Sequence, residues 1–195
     1  MGFTYLITGA SRSLGLAYAA QLLRARPDAR IVATARNPNK SEGLEELLKK
    51  HGSGKVFPLR MDVADEASVA SAAEQLEASG FLENGSLDSL VLNAGIAVDG
   101  QTKPSQLKPQ NVLETFDTNL FGAMRTTSAF LPTLRKGQGK QILGLSSVCA
   151  SIEEWGGNTS TPAYSLSKVA LNMYLRKLSV ELQSEGFTVV MFHPG

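Results

Sequence analysis

The feature that most limits what this chain can form is an alternation of short apolar runs with stretches of helical periodicity. Apolar runs at residues 3–8, 31–35, 56–59, 87–92, 141–146 and 187–192 read as strands. Between them, residues 13–26, 42–50, an Ala-rich segment opened by Asp65-Glu66, 110–134 and 164–185 read as helices. Leu90-Val91-Leu92 and Val189-Val190-Met191 are apolar at successive positions, as strands buried on both faces must be. Strand and helix alternating through right-handed crossovers give an α/β fold: a doubly wound parallel sheet in three layers, α/β/α. Leu16, Ala20 and Leu23 are the expected inner stripe of the first helix; Leu171, Leu175, Leu178 and Leu182 are that of the last. No repeat, low-complexity tract or linker breaks the pattern, so residues 1–195 are expected to form one domain.

Composition narrows the partners. With 19 basic and 18 acidic residues and a net charge of +1, the chain carries no electrostatic footprint for nucleic acid or an anionic membrane. No apolar run approaches the ~18 residues of a membrane span. The single cysteine, Cys149, excludes an internal disulfide and suits a reducing compartment. The start lacks the basic region of a secretory signal, so a cytoplasmic location is expected. No His, Cys and carboxylate cluster has metal-ligand spacing, and no metal is expected.

The loop after the first strand reads Thr8-Gly9-Ala10-Ser11-Arg12-Ser13-Leu14-Gly15. Small residues there let backbone N–H groups approach a pyrophosphate, and the following helix start adds partial positive charge. Gly9, Ser11, Arg12, Ser13 and Leu14 are therefore expected to hold a dinucleotide. The second strand ends in Ala33-Thr34-Ala35-Arg36-Asn37, with a guanidinium where a ribose-binding carboxylate would select NAD. Arg36 and Arg12 together suit a 2′-phosphate, which favours NADP(H) over NAD(H).

Tyr164 and Lys168 are four residues apart at the start of the last helix, and so share one face. An ammonium about 4 Å from a phenol favours the phenolate by roughly 4 kcal/mol at an effective dielectric of about 20. The pair is expected to bring Tyr164 from its ordinary value near ~10 toward the working range of a general acid.

On these residues the chain resembles the short-chain dehydrogenase/reductase family over essentially its whole length. Thr8, Gly9 and Gly15 match the family's glycine loop, although Ser13 replaces its middle glycine. Leu92-Asn93-Ala94-Gly95 resembles the family's Asn-Asn-Ala-Gly, one Asn short. Asp62-Val63 resembles its adenine contact. Asn119, Ser147, Tyr164 and Lys168 match its catalytic positions, and Pro194-Gly195 its Pro-Gly after the sixth strand. Tyr164 follows Ser147 by 17 positions (164 − 147), longer than is usual. That insertion around Trp155, with Asn37-Pro38 after Arg36, resembles the sniffer and carbonyl-reductase-like branch.

The resemblance implies reduction of a ketone or aldehyde to an alcohol. Tyr164 would donate the proton, Ser147 bind the developing oxyanion, Lys168 bind the nicotinamide ribose, and Asn119 hold a water near Lys168. Asp62, Val63, Asn93, Ala94, Gly95, Pro194 and Gly195 would complete the NADP(H) site. It also implies a homodimer or homotetramer paired through the two long helices, with Val169, Met173 and Val180 on the outer stripe. The family's C-terminal substrate segment is expected to be absent after Gly195, which would leave the sixth strand at a sheet edge. A catalytically silent NADP(H)-binding regulatory or scaffold protein, or a fragment, stays open as an alternative.

Overall fold

The computed structural model describes residues 2–154 and 156–195. Six strands form one sheet: β1 Thr4–Ile7, β2 Arg30–Ala35, β3 Val56–Arg60, β4 Ser89–Leu92, β5 Gln141–Leu145 and β6 Thr188–Phe192. Their order is β3-β2-β1-β4-β5-β6 and every pairing is parallel. The expected doubly wound sheet is therefore present. Chain order reverses between β1 and β4, so the C-terminal ends of these two strands open the crevice where such folds bind ligands.

Alternate residues of the strands face opposite layers. The α-helices are α1 Ser13–Ala25, α2 Glu42–His51, α3 Glu66–Ala78, α4 Pro109–Phe116, α5 Gly122–Lys136 and α6 Pro162–Glu181. Leu6, Val32, Leu90 and Ile142 pack on one face, against Leu134 of α5 and Leu171, Leu175 and Leu178 of α6. Tyr5, Ile7, Ile31 and Ala33 pack on the other, against Ala19 and Leu23 of α1 and Leu44 and Leu47 of α2. Each fully buried Leu or Ile adds about 2 kcal/mol of hydrophobic stabilisation, and Leu6, Ile7, Ile31 and Leu90 are all completely enclosed.

Three expectations need correction. Of the expected α1 stripe, Leu23 and half-buried Leu16 pack on the core, but Ala20 is exposed and Gly15 and Ala19 complete the buried face. Ala19 lies four residues from both Gly15 and Leu23 on that face, and Ala20 is one step around the helix from it. The helix expected at 110–134 is two α-helices joined by a π-helical turn, Asp117–Phe121. The Asp117 carboxylate pairs with Arg125 across that turn at 2.7 Å. The last helix begins at Pro162, not Tyr164, because proline suits a first helical position, and Leu182 closes it. Trp155 lies outside the described residues, and β6 lies at the sheet edge. Cys149 is half-buried. No helix among the described residues is long and apolar enough to cross a membrane.

Candidate active site

A cleft of about 970 Å³ follows the C-terminal ends of the central strands. Every residue expected to meet the dinucleotide lines it except Gly195, which is exposed beyond Pro194. One end is the loop between β1 and α1. Gly9 has φ +66°, and a Cβ there would stand 3.1 Å from Ala94 Cα. A Cβ on Gly15 would collide with the Gly9 carbonyl and with Asn93 Nδ2 at 2.6 Å. Helix α1 opens with no side-chain cap and no acidic residue in its first turn, among the described residues. Its first N–H groups thus remain donors for an anion at the positive end of the helix. The residues present fit a dinucleotide pyrophosphate.

The loop is braced from behind. Asn93 Nδ2 donates to the carbonyls of Thr8 at 2.7 Å and Gly9 at 3.2 Å. The Thr8 hydroxyl accepts from the Asn93 and Ala94 amides, both at 2.9 Å. The Ser41 hydroxyl donates to the Ser11 carbonyl at 2.7 Å. Asn93 therefore acts on the cleft through the backbone it fixes. Ser13 occupies the left-handed region at φ +48°, which explains why glycine is the favoured residue there. Arg12 and Arg36 both line the cleft, while Asp62 turns its carboxylate onto the Ala64 amide at 3.1 Å.

Tyr164 and Lys168 line the same cleft, with Ser147 beside the phenol and Asn119 beside the Lys168 ammonium. Lys168 is 3% exposed, donates to the Leu145 carbonyl at 2.7 Å, and places Nζ 5.6 Å from the centre of the Tyr164 ring. Burial lowers the Lys168 ammonium to about 8. Burial raises the Tyr164 phenol above its ordinary value, and a hydrogen bond with Ser147 opposes the rise. The expected lowering by Lys168 is thus not what this geometry shows. Nζ lies near the ring, engages a carbonyl, and is itself driven toward neutrality. Ser147 also accepts from the Cys149 amide at 3.2 Å, which fixes its rotamer beside the phenol.

Asn119 sits on the π turn and is 1% exposed. Its Oδ1 accepts from the Ile96 amide at 2.8 Å. Its Nδ2 donates to the Ile96 carbonyl and the Ser167 hydroxyl, each at 2.9 Å. Both amide protons are thus committed to bracing the β4 loop against α6. The brace stands in the Lys168 corner: a Cβ on Gly95 would lie 3.3 Å from Asn119 Oδ1 and 3.7 Å from Lys168 Nζ.

One further contact at the site carries no sequence signal. Asp99, on the same loop, is 4% exposed and accepts from the Ala163 amide, the residue before Tyr164, at 2.6 Å. Its sequence context, Val98-Asp99-Gly100, reads only as a turn. The partner is 64 positions away, beyond any local pattern.

A model of the short chain dehydrogenase family matches residues 4–195. The chain belongs to the short-chain dehydrogenase/reductase family. Among relatives of this family, an uncharacterized oxidoreductase of Schizosaccharomyces pombe is 33% identical over 192 residues, 98% of this chain and 72% of that protein. The 3-oxoacyl-acyl-carrier-protein reductase FabG of Escherichia coli is 32% identical over 190 residues, 97% of this chain and 71% of that one. Solved family structures superpose closely. NADPH-bound carbonyl reductase from chicken fatty liver gives a TM-score of 0.88 at 30% identity, covering 100% of this chain and 80% of that one. Carbonyl reductase Sniffer of D. melanogaster gives 0.88 at 29% identity, with 100% and 81% covered. The chain is thus an oxidoreductase-family protein with carbonyl-reductase-like relatives.

Proposed function

We propose that this chain is an NADPH-dependent reductase of ketones or aldehydes, acting as one dinucleotide-binding unit over residues 1–195. The observation that carries the reading is that Tyr164 and Lys168, with Ser147 beside the phenol and Asn119 beside the ammonium, share one cleft with a loop suited to a pyrophosphate. Arg36 and Arg12 support the phosphorylated form of the cofactor, and the NADPH-bound carbonyl reductase is a relative consistent with it.

When bound, NADPH supplies hydride to the carbonyl carbon. The chain supplies the rest. The amides at the start of α1 hold the pyrophosphate, and Arg36 with Arg12 holds the 2′-phosphate. Lys168, near the floor of the cleft, donates to the nicotinamide ribose from the position that the Leu145 carbonyl fixes. Ser147 donates to the substrate oxygen as it gains charge, a contact stronger in the transition state than in the ground state. Tyr164 delivers the proton to that oxygen. A phenol raised by burial stays protonated at neutral pH, as a proton donor must.

Leu113, Phe121 and Met124 on the α4–α5 side, and Leu166, Val169, Met173 and Val180 on α6, are large apolar side chains left exposed. They support pairing with a second copy of the chain in a homodimer or homotetramer, which the mass in solution tests. The lone half-buried thiol suits a reducing, cytoplasmic setting.

The test is NADPH oxidation with a panel of aliphatic and aromatic carbonyls, alongside calorimetric binding of NADPH and NADH. Turnover with tighter NADPH binding is expected. Binding without oxidation of any member would instead favour a silent, cofactor-sensing protein.

A further inference from the structure

Helix α6 carries the proton donor in its first turn, yet it does not cap itself. Thr161, its N-cap, makes no side-chain capping bond among the described residues, and Pro162 has no amide hydrogen. The first free donor of the helix is therefore the Ala163 amide, which Asp99 takes at 2.6 Å. One residue along the loop, the Gly100 carbonyl accepts from the Thr161 amide at 2.9 Å. These two bonds hold Thr161 at φ +52°, a left-handed conformation that a β-branched residue adopts only under constraint.

Asp99 is a costly cap. It is 4% exposed, and its Oδ1 is buried without a hydrogen-bond partner among the described residues. An exposed serine would cap a helix without burying a charge. What the carboxylate adds is a short, charge-assisted bond at the positive end of a 20-residue helix. It is also anchored in the loop whose earlier residues, Asn93 to Val98, line the cofactor cleft.

We propose that Asp99 is a positioning residue for the proton donor: its carboxylate ties the cleft-lining β4 loop to the residue before Tyr164, and so sets where the phenol stands relative to the cofactor wall. The proposal rests on the reductase reading for its kinetic consequence, but not for its structural one. Asp99 touches neither substrate nor cofactor. It acts through the Ala163 amide.

The experiment compares wild type, Asp99→Ala and Asp99→Asn with NADPH and para-nitrobenzaldehyde as probes. It reads kcat and KM, the calorimetric Kd for NADPH, and amide hydrogen exchange at residues 163–165. Asp99→Ala is expected to lower kcat on the order of 10²-fold, the cost of a small misplacement of a reacting group. NADPH affinity is expected to hold, and exchange to quicken only in the first turn of α6. Asp99→Asn keeps an oxygen that accepts from Ala163 but loses the charge, and should fall between Asp99→Ala and wild type in kcat and in protection. Three results overturn the proposal: wild-type kcat and protection in Asp99→Ala; equal damage in both variants; or a loss of kcat accompanied by lost NADPH binding and faster exchange throughout the sheet. Absence of turnover in wild type would count against the reductase reading alone, and the exchange pattern would then decide the tether by itself.

Discussion

Replacing Lys168 with methionine should leave a pH-dependent trace in stability whose sign is fixed by the structure. Burial lowers the Lys168 ammonium from 10.5 to about 8. The folded state therefore disfavours the charged form by roughly 3 kcal/mol at neutral pH. Because the folded value is the lower one, the unfolded chain binds more protons between pH 8 and 10.5. The penalty is full below about pH 8, is relieved as pH rises, and is gone above about 10.5. Lys168→Met removes the penalty but orphans the Leu145 carbonyl now engaged at 2.7 Å. That loss costs about 1–3 kcal/mol. The variant should then equal or exceed its parent in stability by up to about 2 kcal/mol at pH 7. The parent should gain on it by roughly 3 kcal/mol between about pH 8 and 10.5. Urea unfolding of both proteins across that range measures the difference, and groups common to both cancel. Doing it in a Tyr164→Phe background removes the neighbouring phenol, which titrates above its usual value. A difference that stays flat, or that moves against the parent as pH rises, would refute the reasoning.

Two further substitutions test the cofactor end. Ser13→Gly should relieve about 1–2 kcal/mol of left-handed strain at the cost of about 0.5–1 kcal/mol of glycine entropy. A net gain of about 0.5–1 kcal/mol raises the melting temperature by ~2 °C in a chain of this size; calorimetry checks it, and a lower melting temperature would contradict the strain at φ +48°. Arg36→Ala should weaken NADPH binding by on the order of tenfold or more, the worth of a charge-assisted bond, and leave NADH binding unchanged. Equal losses for the two dinucleotides would remove Arg36 from the 2′-phosphate site.

The layered fold was legible because strands buried on both faces must be apolar at successive positions, as Leu90-Val91-Leu92 are. The first loop was legible because close backbone approach restricts which residues fit, as Gly9 and Gly15 show. The π turn at Asp117–Phe121 was not, since a one-residue change in helical register leaves the surrounding apolar periodicity almost untouched. Tyr164 and Lys168 were legible as a pair by their spacing, but their ionisation was not. Spacing reports proximity, whereas burial decides which way each group shifts. Asp99 escaped notice because its meaning lies entirely in a tertiary contact with Ala163.

The most direct measurement follows an isotope. With NADPH deuterated at both C4 positions of the nicotinamide and a carbonyl substrate drawn from the panel, mass spectrometry of the alcohol shows whether the label arrives at carbon. Wild type is expected to yield alcohol carrying one deuterium per turnover, and Tyr164→Phe to yield almost none while still binding NADPH. Unlabelled alcohol from wild type, or labelled alcohol formed as fast without the Tyr164 hydroxyl, would contradict the assignment of Tyr164 as the proton donor to a carbonyl reduced by NADPH.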